Sequence, residues 1–135
     1  MNSSRIKLWP VLAGTAAVCV TTWAIALLKP HCQDSAFKLA LVLLAYWAQW
    51  LVISAALGVA VRERGLIHGL IFGVMGSLLS AVLWLGLLWG WRVFSLRFYW
   101  DIWSSSTLFV FPLAALGGWL GSFCYARFRP PDSVA

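Results

Sequence analysis

The amino-acid sequence predicts an all-α integral membrane protein, a four-helix transmembrane bundle with a short interfacial segment before the fourth helix. Hydrophobic residues make up 62% of the 135 residues and charged residues only 10%, whereas soluble domains carry roughly a quarter charged residues. Four apolar runs are each long enough to cross a hydrocarbon core of about 30 Å. Small residues recur at helical spacing along the third run, which favours close helix packing. We therefore predict a single transmembrane domain over residues 1–135.

The first apolar run covers residues 8–28 and follows a short basic head. A signal peptide is the alternative interpretation, because Arg5 and Lys7 would suit its charged n-region. The run is longer than an ordinary signal-peptide core, and no small-x-small cleavage site follows it. We therefore expect an uncleaved first helix that ends before Pro30, since proline disfavours helix at the preceding residue.

The second and third runs cover residues 36–61 and 65–91, and the polar turn at 62–64 joins them. So short a connection predicts an antiparallel helical hairpin. The third run contains no charged residue. Its small residues fall on one narrow stripe of a helix and are predicted to pack against a neighbouring helix: Gly65, Gly69, Gly73, Gly76 and Ser80.

The fourth run covers residues 107–125, and the aromatic segment before it, residues 91–106, is too polar to span a bilayer. Several large apolar side chains of that segment share one helical side, and Arg97 and Asp101 have the i,i+4 spacing of an ion pair. We predict a short amphipathic stretch that lies in the membrane interface. The fourth run carries a second stripe predicted for helix packing: Ala114, Gly117 and Gly121.

The ten basic residues lie at or near the ends of the apolar runs, which suits contact with lipid headgroups and not with nucleic acid. Four spans put both termini on one side of the membrane. Six basic residues lie on that side and four on the other, so the positive-inside rule places both termini in the cytoplasm. Membrane lipids are therefore expected partners, and nucleic acid is not.

Regularly spaced glycines mark the segment RERGLIHGLIFG, residues 62–73, and the pattern Gly117-Gly118-x-x-Gly121 in the last run. In these features the chain resembles glycine-rich, four-span bacterial membrane proteins. The resemblance implies no particular activity. We separately expect the chain to lie in the bacterial inner membrane.

Gln49 is the polar residue that carries most information, because it lies near the middle of the second run. An unpaired amide in hydrocarbon would cost several kcal/mol, so Gln49 is expected to face protein or a polar cavity. Its predicted hydrogen-bond partners are hydroxyls of neighbouring helices: Thr15, Thr22, Ser77 and Ser80. The alternative is a contact with a headgroup, a quinone or a solute. We expect Gln49 to share its side of the helix with Val42, Ala45, Val52, Ala56 and Ala60.

Two of the ten tryptophans, Trp47 and Trp50, also lie near the middle of the second run. We expect both to lie on the side opposite Gln49 and to face outward. Tryptophan prefers the membrane interface, so an outward pair at this depth indicates a partner protein, a prenyl chain, a flat cofactor or plain lipid contact. We take the two residues as a candidate partner interface.

Catalytic and metal-binding patterns are absent from the sequence, and we predict neither a catalytic residue nor a cofactor. No charged residue lies deep in any run, which disfavours ion-coupled transport. His31 and His68 belong to opposite membrane sides and cannot share a site, and the three cysteines contain no C-x-x-C pattern. An enzyme is therefore the least favoured class.

Two function classes remain. The first is a non-catalytic small subunit, or an assembly or stabilising factor, of a larger membrane protein complex. The second is a small homo-oligomeric transporter or channel for a lipid-linked or neutral solute, since a monomer of this size encloses little space. Both classes require association with other membrane subunits or with further copies of the chain.

The distribution of basic residues makes a testable prediction about topology. In a chain whose other cysteines are replaced, an impermeant thiol reagent applied to intact cells should label Cys32 and should fail to label cysteines introduced at Ser3 or Ser133. The measurement is the labelled fraction before and after membrane permeabilisation. Labelling of both termini together with protection of Cys32 would mean the reverse orientation.

Overall fold

The computed structural model describes residues 8–28, 31, 34–62, 64–89 and 96–128. Four helices follow one another along the chain: α1 (Leu8–Leu28), α2 (Ala36–Val61), α3 (Gly65–Trp89) and α4 (Leu96–Phe128). Each contains a stretch long and apolar enough to cross a membrane. The prediction of an all-α, four-span membrane bundle is therefore confirmed. The predicted basic head and tail, Cys32 and residues 90–95 lie outside the described residues.

The beginning of α4 differs from the sequence-based boundary. We expected a separate segment before a span starting at 107, but one continuous helix of 33 residues begins at Leu96 and is about 50 Å long. The membrane-spanning stretch within it starts at Leu108. The polar residues before the membrane-spanning stretch do not interrupt the helix, and there the Ser104 hydroxyl donates to the Asp101 carbonyl at 3.1 Å.

Helices that follow one another in the sequence run antiparallel, as pairs of contacts show. On α1 and α2, Gly14 lies near Leu57 and Thr22 bonds Gln49. Between α3 and α4, residue numbers rise along one helix as they fall along the other. Gly65 meets Gly118, Gly69 meets Ala114 and Gly73 meets Phe111. The chain therefore runs up, down, up and down through the bundle.

The helices are arranged with α2 and α3 in the middle. α4 packs against both of them, and α1 packs against the same two from the other side. Within the described ranges α1 and α4 make no contact with each other. α2 and α4 run parallel, with Gly117 against the Leu51 carbonyl and Gly121 against the Ala55 carbonyl.

α4 approaches α2 and α3 so closely that backbone touches backbone. On α3, the Cα of Gly69 faces the Ala114 carbonyl, and a Cβ at Gly69 would collide with it. The same holds on α2, where Gly58 faces the Gly118 carbonyl. Ser54 adds a hydrogen bond from its hydroxyl to the Ala114 carbonyl. Such proximity permits dispersion and Cα–H···O contacts, which drive helix association where lipid removes the hydrophobic effect.

Farther from the α2–α3 turn, larger side chains separate the helices. Gly76 faces the Trp50 ring, with 2.9 Å between a Cβ placed there and Cζ3. The Trp103 indole donates to the Ser77 hydroxyl at 3.0 Å, and the Tyr99 hydroxyl donates to the Leu78 carbonyl at 2.9 Å. The bundle is thus joined by glycines near the turn and by aromatic residues at the other end.

The inward side of α2 differs from the predicted one. Its buried residues are Gln49, Trp50, Ser54, Leu57, Gly58 and Val61. Successive residues of a helix are about 100° apart around its axis. The mean direction of the six buried side chains is therefore roughly 100° away from that of Gln49, which lies at the edge of the buried side. The residues expected to share its side are mostly exposed instead: Ala45, Val52, Ala56 and Ala60.

The close approach of α4 predicts unequal effects of alanine at two glycines of α3. Gly69→Ala should lower the free energy of unfolding by about 1–3 kcal/mol, because its methyl group meets the backbone carbonyl of Ala114. Gly73→Ala should lower the free energy of unfolding by less. Its new methyl group meets side chains and not backbone: the Ala114 methyl at 3.1 Å and the movable Phe111 ring at 3.4 Å.

Both substitutions replace glycine with alanine and so gain the same intrinsic helix propensity. The difference between their free energies of unfolding therefore reports the packing of the added methyl group. Unfolding in mixed detergent micelles measures it. Equal stability of the two variants would mean that α4 does not approach α3 at Gly69 as described.

Candidate functional site

A polar contact at mid-membrane depth joins α1 to α2. Gln49 is 8% exposed, and its Nε2 donates to the Thr22 hydroxyl at 3.2 Å. Its Oε1 lies within hydrogen-bonding distance of the Thr21 hydroxyl, whose single hydrogen is shared between this oxygen and the Ala17 carbonyl at 2.9 Å. Both ends of the amide are therefore paired, as its depth in the bilayer requires.

The other hydroxyls predicted as partners of Gln49 lie elsewhere. Thr15 is buried and its hydroxyl oxygen has no partner in the described part of the chain. Ser77 donates to the Val74 carbonyl at 3.0 Å and accepts from Trp103. Ser80 is buried beside the Tyr46 hydroxyl. The sequence did not predict Thr21 as a partner of Gln49. Thr21 and Thr22 point in different directions on α1, and only the position of α2 decides which of them can bond to the amide.

The expectation that Trp50 faces outward is wrong. Trp50 is 0% exposed and packs between helices, with its ring centre 5.5 Å from that of Phe72. Successive residues on a helix differ by about 100°, so Trp50 points into the buried side that Gln49 only borders. The missing side chain at Gly76 makes room for the ring. Trp50 therefore cannot contact a partner protein directly.

Trp47 is half-buried and forms one wall of a groove between α2 and α4. Its ring meets Phe109 edge-on, at 5.4 Å between centres and 61° between planes. The groove has a volume of about 480 Å³ and is also lined by Leu108, Pro112 and Leu113. All five side chains are apolar or aromatic, so the groove suits an apolar guest.

Pro112 gives this groove a polar element. It lies inside α4 and has no backbone N–H, so the carbonyl of Leu108 loses its usual intrahelical donor. Carbonyls point along the helix axis, which directs this one towards the proline ring that lines the groove. A proline within an apolar run is a visible signal in the sequence, and Pro112 marks this groove.

A second exposed aromatic feature lies on the part of α4 nearer its C-terminus. Trp119 and Phe123 stack at 5.6 Å with 22° between their planes, and they are 47% and 55% exposed. They lie on the side of α4 opposite Gly121, which packs against α2. Their i,i+4 spacing on the far side of the glycine stripe is a signal of this pair in the sequence itself.

The α2–α3 turn places positive charge at the same end as the close glycine contacts. Arg62 and Arg64, which lie between the end of α2 and the beginning of α3, have positive φ angles of 70° and 53°. The Arg62 guanidinium lies over the Tyr125 ring, 5.2 Å from its centre, and so joins the turn to the end of α4. The buried His68 ring nitrogen Nδ1 lies 3.0 Å from the Arg64 carbonyl.

Within the ranges that the structure describes, no group of three His, Cys, Asp or Glu side chains is arranged to hold a metal ion. The arrangement offers neutral hydrogen bonds inside the bundle and aromatic surfaces outside it. Comparisons of the chain with protein-family models, curated proteins and solved structures find no match.

A double-mutant cycle tests whether the Gln49 amide stabilises the bundle. Gln49→Leu and Thr22→Val should show a coupling free energy of about 0.5–1.7 kcal/mol, because each removes one side of a buried hydrogen bond. Reversible unfolding in micelles gives the four required values. The control cycle combines Gln49→Leu with Ser54→Ala, whose hydroxyl bonds α4 instead, and should be additive. Zero coupling in the first cycle would contradict the described bond.

Proposed function

We propose that the chain is a non-catalytic subunit or stabilising factor of a larger membrane protein complex, and that its partner binds the outward face of α4. The observation that carries this proposal is the exposed, stacked pair Trp119 and Phe123, next to the 47% exposed Leu116. Rigid aromatic side chains of this kind commonly anchor protein interfaces.

The depth of the pair supports a protein partner. Trp119 lies nine residues before Phe128, or about 14 Å along the helix, within the membrane-spanning stretch. Lipid tails offer an indole N–H no acceptor, so tryptophan usually lies in the interface. A partner helix offers both an acceptor and a surface against the stacked rings.

The interior of the bundle supports the same proposal, because its central amide and its glycines are used in holding the helices together. The Gln49 amide is paired with Thr21 and Thr22. Glycine contacts bring α4 against both α2 and α3. The outer surface of the helices is then what the chain offers to other molecules.

For location, we propose the bacterial inner membrane with both termini in the cytoplasm. The balance of basic residues supports this orientation. Arg62 and Tyr125 are in contact, so the middle turn and the end of α4 lie at the same end of the bundle and their arginines face the same surface. Anionic headgroups of the cytoplasmic leaflet attract such clusters.

A small homo-oligomeric transporter for a neutral solute is the second candidate. It is favoured by one buried polar atom without a partner in the described chain, the Thr15 hydroxyl oxygen. Such an atom is expected along a polar path. Flux of a neutral solute into liposomes that contain only this protein would support this candidate against the first.

The subunit proposal predicts the effect of removing the aromatic pair. Trp119→Leu with Phe123→Leu should leave the bundle folded, since both side chains are exposed, but should lower recovery of partner proteins at least tenfold after mild solubilisation of native membranes. Quantitative mass spectrometry at equal expression measures recovery.

The matched control is Trp23→Leu, which removes a comparably exposed tryptophan from α1, at 51% exposure. It should leave partner recovery unchanged. A wild-type chain that purifies with no stoichiometric partner, or a double variant with full recovery, would overturn the proposed interface.

A further inference from the structure

The groove between α2 and α4 combines features that select a particular class of ligand. Its volume of about 480 Å³ lies within the range of small-molecule sites in proteins, about 300–1,000 Å³. It is lined by Trp47, Leu108, Phe109, Pro112 and Leu113. A guest must therefore be largely apolar.

The depth of the groove requires that the guest be dissolved in the membrane. Trp47 lies 11 residues from Ala36 and 14 residues from Val61, so it is about 16 Å and about 21 Å from the two ends of α2. Leu108 and Pro112 belong to the membrane-spanning stretch of α4. The groove thus lies within the candidate span, with its Leu108 end at the boundary of that span.

Two of the lining residues bring polar groups to the groove, Leu108 its backbone carbonyl and Trp47 its indole N–H. Pro112 removes the intrahelical partner of the Leu108 carbonyl, and an unpaired carbonyl in hydrocarbon costs several kcal/mol. No hydrogen bond from the Trp47 indole is found within the described chain. Lipid tails satisfy neither group, whereas one hydroxyl satisfies both, because it donates through its hydrogen and accepts through its oxygen.

The walls of the groove favour a flat ring as the bearer of that hydroxyl. Trp47 and Phe109 meet at 61°, so they form an aromatic corner. A flat ring can stack on one wall and present its edge to the other, which are the two preferred aromatic geometries. Saturated acyl chains gain no such contact.

We propose that this groove binds the reduced ring of an isoprenoid quinol. One ring hydroxyl donates to the Leu108 carbonyl, and its oxygen accepts from the Trp47 indole. The ring occupies the corner between Trp47 and Phe109, and the prenyl chain extends into the surrounding lipid. The oxidised quinone carries acceptors only, so it leaves the Leu108 carbonyl unpaired and binds more weakly.

The test compares the two oxidation states in phospholipid nanodiscs under anaerobic conditions. Bound decylubiquinol and decylubiquinone are quantified per protein, and protein-free discs correct for partition into lipid. The wild-type chain should bind the quinol about fivefold more tightly than the quinone, which is the worth of one net hydrogen bond. The dimethyl ether of the quinol, which has no donor, should bind like the quinone.

Pro112→Ala is the decisive variant, because it restores an N–H for the Leu108 carbonyl while leaving an apolar wall. Its preference for quinol should fall to about onefold, whereas its affinity for quinone stays unchanged. Removing a proline from a helix interior favours the helix, so thermal unfolding should show this variant at least as stable as the wild type. Loss of preference therefore cannot come from misfolding.

Trp47→Phe should lower the affinity for both oxidation states, because both accept from the indole. Trp100→Phe, a 58% exposed tryptophan outside the groove, should change neither. Absence of saturable binding above protein-free discs would overturn the proposal. Equal binding of quinol and quinone by the wild type, or an unchanged preference in Pro112→Ala, would also overturn it.

Discussion

Backbone contact between α4 and its two neighbours is the interaction on which the rest of the structure depends. Gly58 on α2 and Gly69 on α3 face carbonyls of α4 directly, at distances that leave no space for a side chain. In lipid, helices gain little from hiding apolar surface, so stability comes from contact area and from short polar contacts. Because α4 packs against both of them, α2 and α3 acquire a defined spacing, and α1 packs against their other side through larger residues and one amide.

This constraint makes the two ends of the bundle different. Near the α2–α3 turn the helices touch through glycine, and the Arg62 to Tyr125 contact holds the polar end together. Towards the other end, Trp50, Tyr99 and Trp103 fill the space and donate hydrogen bonds where an acceptor is within reach. On α4, Pro112 lies between the part that packs through glycine and the part that packs through aromatic residues, and it lines the groove. The groove is therefore a consequence of where close packing ends.

The polar groups inside the spans hold the helices together, whereas the features proposed for interaction lie on the outer surface. Gln49, Ser54 and Ser77 are paired, and each pair ties one helix to another. The features proposed for interaction, the aromatic corner at Trp47 and the stacked pair at Trp119, lie on the outside of the bundle, where contact costs no internal packing. A protein surface and a ligand groove can thus coexist on different parts of α2 and α4.

The sequence alone determined the class of the fold, because span length and apolar composition depend on the thickness of the bilayer and not on tertiary contacts. It also located the small residues of α3 and α4, since a stripe of glycines has a fixed direction on a helix. It could not orient α2, whose stripes of small and of aromatic residues overlap. Trp50 was placed outside for this reason, and Thr21 and Trp119 were overlooked. Those positions were decided only when α1, α3 and α4 took their places around α2, because a side chain's environment depends on which neighbour approaches it.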